Sequence, residues 1–62
     1  MPYVSIQMFE GRDVDTKRSF CQKIAQVVSE EIGVKPEAVT VRIDEMKKEN
    51  YYINGELFLD KK

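Results

Sequence analysis

The chain has 62 residues and a mass of 7.2 kDa, and its charges nearly cancel, with ten Lys and Arg against eleven Asp and Glu. A domain of this length buries only about 60% of its unfolded surface, so it usually needs a disulfide, a structural metal or a partner subunit. One cysteine and no histidine exclude an internal disulfide and a His/Cys zinc site. We therefore expect one domain over residues 1–62 that forms an oligomer.

The charge and hydropathy patterns also bear on partners and location. No basic run lies beside stacking aromatic residues, so nucleic acid is not an expected partner. No apolar stretch approaches the roughly 20 residues that span a bilayer, and the segment Met1–Ser5 lacks the basic start and apolar core of a signal peptide. We expect a cytoplasmic protein without a membrane partner.

A strand followed by a helix is predicted in the first half of the chain. Residues 3–8 alternate, with apolar side chains at every second position, which is typical of a strand with one buried face. Asp13 is a suitable N-cap and Gly33 a suitable C-cap for the helix between them. Its apolar stripe is formed by Phe20, Ile24, Val27, Val28 and Ile32.

The second half predicts another strand and a hairpin. Residues 39–44 alternate again, and Asp44 and Glu45 are expected on opposite faces of a solvated strand end. Asn54-Gly55 is a strong signal for a two-residue hairpin turn. The fold class is therefore α/β: a β-α-β unit whose parallel strands are joined by a right-handed crossover, followed by a C-terminal β-hairpin.

A two-stranded sheet with one helix leaves one face and both edges uncovered. Several large apolar or aromatic residues therefore have no predicted place within one chain, and we expect them at contacts between subunits. They are Tyr3, Phe9, Tyr51, Tyr52, Ile53, Leu57 and Phe58.

The usual catalytic constellations are absent from the sequence. Cys21 has no histidine to activate it, so it is interpreted as a packing residue. Pro2 becomes the N-terminal residue if Met1 is removed, and an α-amino group titrates near pH 7.7–8.0, which suits a general base. Alternatively, Pro2 only stiffens the edge of the sheet.

Four motifs together resemble 4-oxalocrotonate tautomerase and its small relatives, over essentially the whole chain. They are Met1-Pro2 before the first strand, Glu10-Gly11-Arg12 after it, Glu45-Met46 after the second strand, and Tyr51-x-Ile53-x-Gly55 in the hairpin. The resemblance implies a tautomerase-like hexamer, a trimer of dimers, that needs neither a metal nor an organic cofactor. It implies an isomerase that moves a proton in a small-molecule substrate, a 2-hydroxy dienoate or a related unsaturated α-keto acid.

The resemblance also implies roles for individual residues. Pro2 matches the catalytic base of the family, which acts once Met1 is removed. Arg12 matches an arginine that binds the substrate carboxylate from a neighbouring subunit, with a solvated turn charge as the alternative. Tyr51 matches a position in the pocket wall. Phe9 and Ile53 match two further wall positions, although interface packing explains these two equally well.

One position departs from the family pattern. Thr40 aligns with the second catalytic arginine of the family, and Arg42 lies two residues further along the same face, about 6.6 Å away at about 3.3 Å per residue. Either Arg42 takes over that role, or the preferred substrate differs, or the activity is low. The alternative function is a non-catalytic subunit of a mixed oligomer, or an interaction module, with a tautomerase fold.

Overall fold

The structure, a computed structural model, describes residues 1–61 and confirms the predicted order of elements. A strand and a long helix precede a second strand and a short hairpin. The bounds are β1 Tyr3–Phe9, α1 Val14–Ile32, β2 Thr40–Met46, β3 Tyr52–Ile53 and β4 Glu56–Leu57. Single turns of 3₁₀ helix occupy Pro36–Ala38, Lys48–Asn50 and Phe58–Asp60.

The two long strands pair in parallel, as the sequence predicts, with Val4 opposite Val41 and Ile6 opposite Ile43. Backbone hydrogen bonds continue past both ends of the ladder. The Thr40 amide donates to the Pro2 carbonyl at 3.0 Å, and the Glu10 amide donates to the Met46 carbonyl at 3.0 Å. The sheet therefore holds the backbone of Pro2 at one of its ends.

Both predicted helix caps are present. Asp13 accepts a hydrogen bond from the Thr16 amide at 2.8 Å, and this bond lowers the pKa of the Asp13 carboxyl group. Gly33 adopts the left-handed conformation, with φ at 76°, and its amide donates to the Ser29 carbonyl. Because glycine has no Cβ and adopts this conformation without strain, the helix ends where the sequence predicts.

The predicted apolar stripe of α1 needs a correction. Val27 and Ile32 are 58% and 57% exposed, because they lie to one side of the helix face that meets the sheet. The half-buried residues of the helix instead recur at spacings that alternate between three and one: Lys17, Phe20, Cys21, Ile24, Ala25, Val28 and Ser29. No helix in residues 1–61 combines the length and the apolar character needed to cross a membrane.

Glu45 is more than a solvated strand end. Its side chain lies on the helix-covered face of the sheet, opposite Met8 in the strand register, and forms an ion pair of 2.5 Å with Lys17. Asp44 lies on the opposite face, as predicted, and accepts a hydrogen bond from Arg42. The pair between Lys17 and Glu45 therefore joins the first turns of α1 to the end of β2.

The chain by itself has no closed core. Every one of the described residues 1–61 retains a substantial exposed fraction, and the radius of gyration is 14.9 Å. A compact domain of this length would have about 10.6 Å. The exposed surface is 5085 Å², whereas a folded monomer of this mass typically exposes about 4,100 Å².

Candidate active site

The Pro2 end of the sheet contains two of the residues predicted for the site. Pro2 is half-buried, and its carbonyl is fixed by the Thr40 amide at 3.0 Å. Met1 precedes it and is 86% exposed. While Met1 is attached, the Pro2 nitrogen is part of a tertiary amide, so it has no basic lone pair until the methionine is removed.

The opposite end of the sheet carries an aromatic cluster, formed by Phe9, Tyr51 and Phe58. The Phe9 and Phe58 rings stack at a centroid distance of 4.7 Å, and Tyr51 meets Phe9 edge-on at 5.2 Å. The Phe58 amide also donates to the Tyr51 carbonyl at 2.7 Å. The cluster therefore fastens the hairpin to the end of β1, and it gives this end of the molecule an apolar wall.

Phe58 was not predicted as part of this wall. Sequence reasoning placed Phe9, Tyr51 and Phe58 at contacts between subunits, yet their rings pack against one another within the chain. The pairing of residues in the hairpin explains why these rings lie together. Tyr52 pairs with Leu57, so Tyr51 and Phe58 form the next pair outward and share a face. Ile53 is half-buried in the hairpin, while Tyr52 is 69% exposed.

One chain does not bring the predicted site residues together. Pro2 precedes β1 and Arg12 follows it, so the length of the strand, about 20 Å at 3.3 Å per residue, lies between them. The side chain of Arg12 is exposed in the turn after the strand. A substrate that contacts both residues must therefore receive them from two different chains.

Arg42 is directed away from the position of Thr40. Its Nε donates to the Asp44 carboxylate at 3.0 Å, which draws the guanidinium toward the far end of β2. The Arg42 side chain is 76% exposed, so water weakens this ion pair. The structure therefore does not place Arg42 beside Pro2.

A cleft of about 400 Å³ adjoins the aromatic cluster and lies at the other end of the sheet from Pro2. Phe9, Met46 and Leu59 provide its apolar surface, and two lysines and two glutamates balance its charge. The charged residues are Lys47, Lys48, Glu10 and Glu49. In residues 1–61, no group of three or more acidic or cysteine side chains is arranged to hold a metal ion.

Comparison with known proteins identifies the family. The family model for tautomerase enzymes matches residues 2–61, which is nearly the whole chain. The chain belongs to the tautomerase family. The resemblance seen in the sequence is thereby confirmed, and the protein is a tautomerase, an enzyme of the isomerase class.

Individual relatives agree with this assignment. The tautomerase is 39% identical over 61 residues to a probable tautomerase from Bacillus cereus, covering 98% of this chain and 100% of the relative. It is 38% identical over 60 residues to 2-hydroxymuconate tautomerase from Bacillus subtilis, with 97% of each chain covered.

Solved structures confirm the fold. The crystal structure of YwhB, a homologue of 4-oxalocrotonate tautomerase, superimposes with a TM-score of 0.91 at 36% identity, covering 98% of this tautomerase and 100% of YwhB. A heterohexameric 4-oxalocrotonate tautomerase from Chloroflexus aurantiacus shares the fold with a TM-score of 0.89 at 19% identity, and each chain is covered completely.

Proposed function

We propose that this tautomerase moves a proton in 2-hydroxy dienoates or related unsaturated α-keto acids without a cofactor. The Pro2 nitrogen, freed by removal of Met1, acts as the general base. It takes the proton of the enol hydroxyl group and returns a proton to a carbon atom further along the conjugated chain, so no atom is gained or lost. The name of the 38% identical relative, 2-hydroxymuconate tautomerase, supports this substrate class.

The observation that carries the proposal is the position of Pro2. It directly follows Met1, and the hydrogen bond from the Thr40 amide holds its carbonyl at the end of the sheet. A secondary amine there is ready to accept a proton at neutral pH, because amino termini titrate far below lysine.

We further propose that the active protein is a homo-oligomer, a hexamer built as a trimer of dimers. Arg12 of one chain binds the substrate carboxylate beside Pro2 of another, through two parallel hydrogen bonds. Phe9, Tyr51 and Ile53 keep the surroundings of that carboxylate apolar. The separation of Pro2 and Arg12 along β1 supports a site shared between chains.

The direct test uses the protein with Met1 removed, verified by intact mass, and 2-hydroxymuconate as the substrate. We expect measurable turnover, and we expect Pro2→Ala to lose most of it while the oligomer stays intact. Alanine retains a primary amine, so some activity should remain. Unchanged turnover in Pro2→Ala would show that Pro2 is not the base.

A second function is favoured by one observation, the threonine at position 40. Without an arginine there, the chain suits the role of a non-catalytic subunit in a mixed oligomer. The heterohexamer from Chloroflexus aurantiacus shows that the fold occurs in mixed assemblies. Complete retention of Met1 in protein isolated from its native cells would support this alternative.

A further inference from the structure

We infer that the phenol of Tyr3 is the hydrogen-bond donor that stabilises the substrate oxygen during proton transfer. This inference rests on the proposed function and names one more catalytic residue for it. When Pro2 takes the proton of an enol hydroxyl group, negative charge develops on the oxygen that is left behind. A fixed donor aimed at that oxygen is usually one of the largest contributions to such a reaction.

The two strands offer few donors at the Pro2 end. Arg42 is two residues further along β2, and its Nε is bonded to Asp44 at 3.0 Å. Thr40 has a short side chain, and its backbone amide is already bonded to the Pro2 carbonyl. Tyr3 follows Pro2 directly and carries the one phenol on β1 and β2.

The strand register places Tyr3 beside Thr40. The two residues are paired across the parallel ladder, so their side chains leave the same face of the sheet from neighbouring strands about 4.8 Å apart. The face is the one that α1 does not cover, and Tyr3 is 75% exposed there. Its hydroxyl group has no hydrogen-bond partner within residues 1–61.

A phenol also has the right chemistry for this position. Its O–H group donates a hydrogen bond to a charged oxygen without transferring the proton. A tyrosine hydroxyl serves as an oxyanion donor in ketosteroid isomerase, which also shifts a proton next to a carbonyl group. Tyr3 thus supplies a donor at the strand position where Thr40 cannot reach.

The test compares Tyr3→Phe with Tyr52→Phe in protein that lacks Met1. Both tyrosines are mostly exposed, 75% and 69%, and the Tyr52 side chain leaves the hairpin on the opposite face from Tyr51 and Ile53, which line the proposed site. We expect Tyr3→Phe to lower kcat on 2-hydroxymuconate by about 100-fold or more, the usual effect of losing one oxyanion donor. KM should change by less than about threefold, since the bond strengthens only as charge develops. Tyr52→Phe should match the wild type.

A packing role for Tyr3 is separated from the catalytic role by a second experiment. A fluorinated tyrosine at position 3 keeps the shape of the ring but lowers the pKa of its hydroxyl group. If that group must be protonated, the alkaline limb of the kcat profile moves to lower pH, and the same substitution at Tyr52 leaves the profile in place. Sedimentation confirms that each variant keeps its oligomeric state.

The possible failures point to different conclusions. An inactive wild type with a free Pro2 overturns the proposed function and this inference together, because no reaction remains for Tyr3 to assist. An active wild type whose kcat is unchanged in Tyr3→Phe, with an unmoved alkaline limb in the fluorinated protein, overturns the role of Tyr3 alone. A loss of activity in Tyr3→Phe that is explained by dissociation, without a shifted pH profile, also overturns it.

Discussion

At the scale of single residues, the direction of the Arg42 side chain favours one of two interpretations of β2. The guanidinium donates a hydrogen bond to Asp44, which lies further along β2 than Arg42 and so away from Thr40. Catalytic groups usually have to lie within about 0.5 Å of their productive position, and two residues of strand amount to about 6.6 Å. We therefore expect Arg42 to act only at the surface of the sheet, and position 40 is the one to alter.

We predict that Arg42→Ala leaves kcat on a dienol substrate within about twofold of the wild type. Thr40→Arg should raise kcat, because it places a cation at the position that aligns with the second catalytic arginine of the family. Steady-state kinetics of the two variants and the wild type decide the question. A fall of tenfold or more in kcat for Arg42→Ala would mean that its guanidinium leaves Asp44 when the substrate binds.

Arg12 should behave differently from Arg42. We expect Arg12→Ala to raise KM chiefly, because carboxylate binding is common to the ground state and the transition state. Arg12→Lys should recover only part of the loss, since an ammonium group cannot form two parallel hydrogen bonds with a carboxylate. An unchanged KM in Arg12→Ala would assign Arg12 to the solvated turn.

At the scale of the elements, the start of α1 makes stability depend on pH. The Thr16 amide bonds the ionised form of Asp13 and lowers its pKa below the usual value near 3.9. A lowered pKa in the folded state stabilises the fold at pH values above the unfolded pKa. That contribution is lost as the pH falls through the folded pKa.

Asp13→Ala should therefore lower the melting temperature at pH 7, and its difference from the wild type should shrink as the pH falls below about 4. Asp13→Asn is the matched variant, because asparagine caps helices well but carries no charge. Its contribution should be independent of pH over the same range. A difference in melting temperature between the wild type and Asp13→Ala that is as large at pH 2 as at pH 7 would contradict this account.

The aromatic cluster holds the hairpin against the end of β1. Phe58 stacks on Phe9 at 4.7 Å and bonds the Tyr51 carbonyl through its amide. We expect Phe58→Ala to reduce the free energy of unfolding by about 1–3 kcal/mol, from lost apolar burial and ring contacts. Leu59→Ala is the control, because the neighbouring Leu59 is 59% exposed. Denaturant unfolding of both variants measures the difference, and equal losses would mean that the cluster adds nothing.

The parts of the fold that were predicted are those with local signals. Asp13, Gly33 and the Asn54-Gly55 turn act within a few residues, and each does what its chemistry predicts. Apart from the parallel pairing of β1 with β2, features that depend on packing between distant segments were not predicted. Val27 is exposed because the direction of α1 over the sheet excludes it, and Glu45 meets Lys17, which is 28 residues away in sequence.

The residues of the candidate site also divide into those with a signal in the sequence and those that depend on distant contacts. Pro2 is proposed as the base from its place in the chain and from the resemblance, and both are visible in the sequence. In the proposed oligomer the groups beside Pro2 come from a second subunit, and no pattern within one chain encodes that distance. The strand register, which the sequence leaves open, is what pairs Tyr3 with Thr40.

At the scale of the whole molecule, the chain exposes about 1,000 Å² more than a compact monomer of its mass. A stable interface typically buries about 800 Å² on each partner. We therefore predict an obligate oligomer, with unfolding that becomes easier as the protein is diluted. Sedimentation at micromolar concentration tests this directly, and a stable, folded monomer there would contradict it.

The length of β1 has a consequence for genetics. Pro2 and Arg12 lie at opposite ends of that strand, so in the proposed shared site two defective chains each supply what the other lacks. Unfolding and reassembling Pro2→Ala and Arg12→Ala proteins in equal amounts should leave about one quarter of the shared sites with both native residues, if chains associate at random in a symmetric assembly. The mixture should then be more active than either parent protein. A gene copy with one of these substitutions should therefore be partly complemented by a copy with the other.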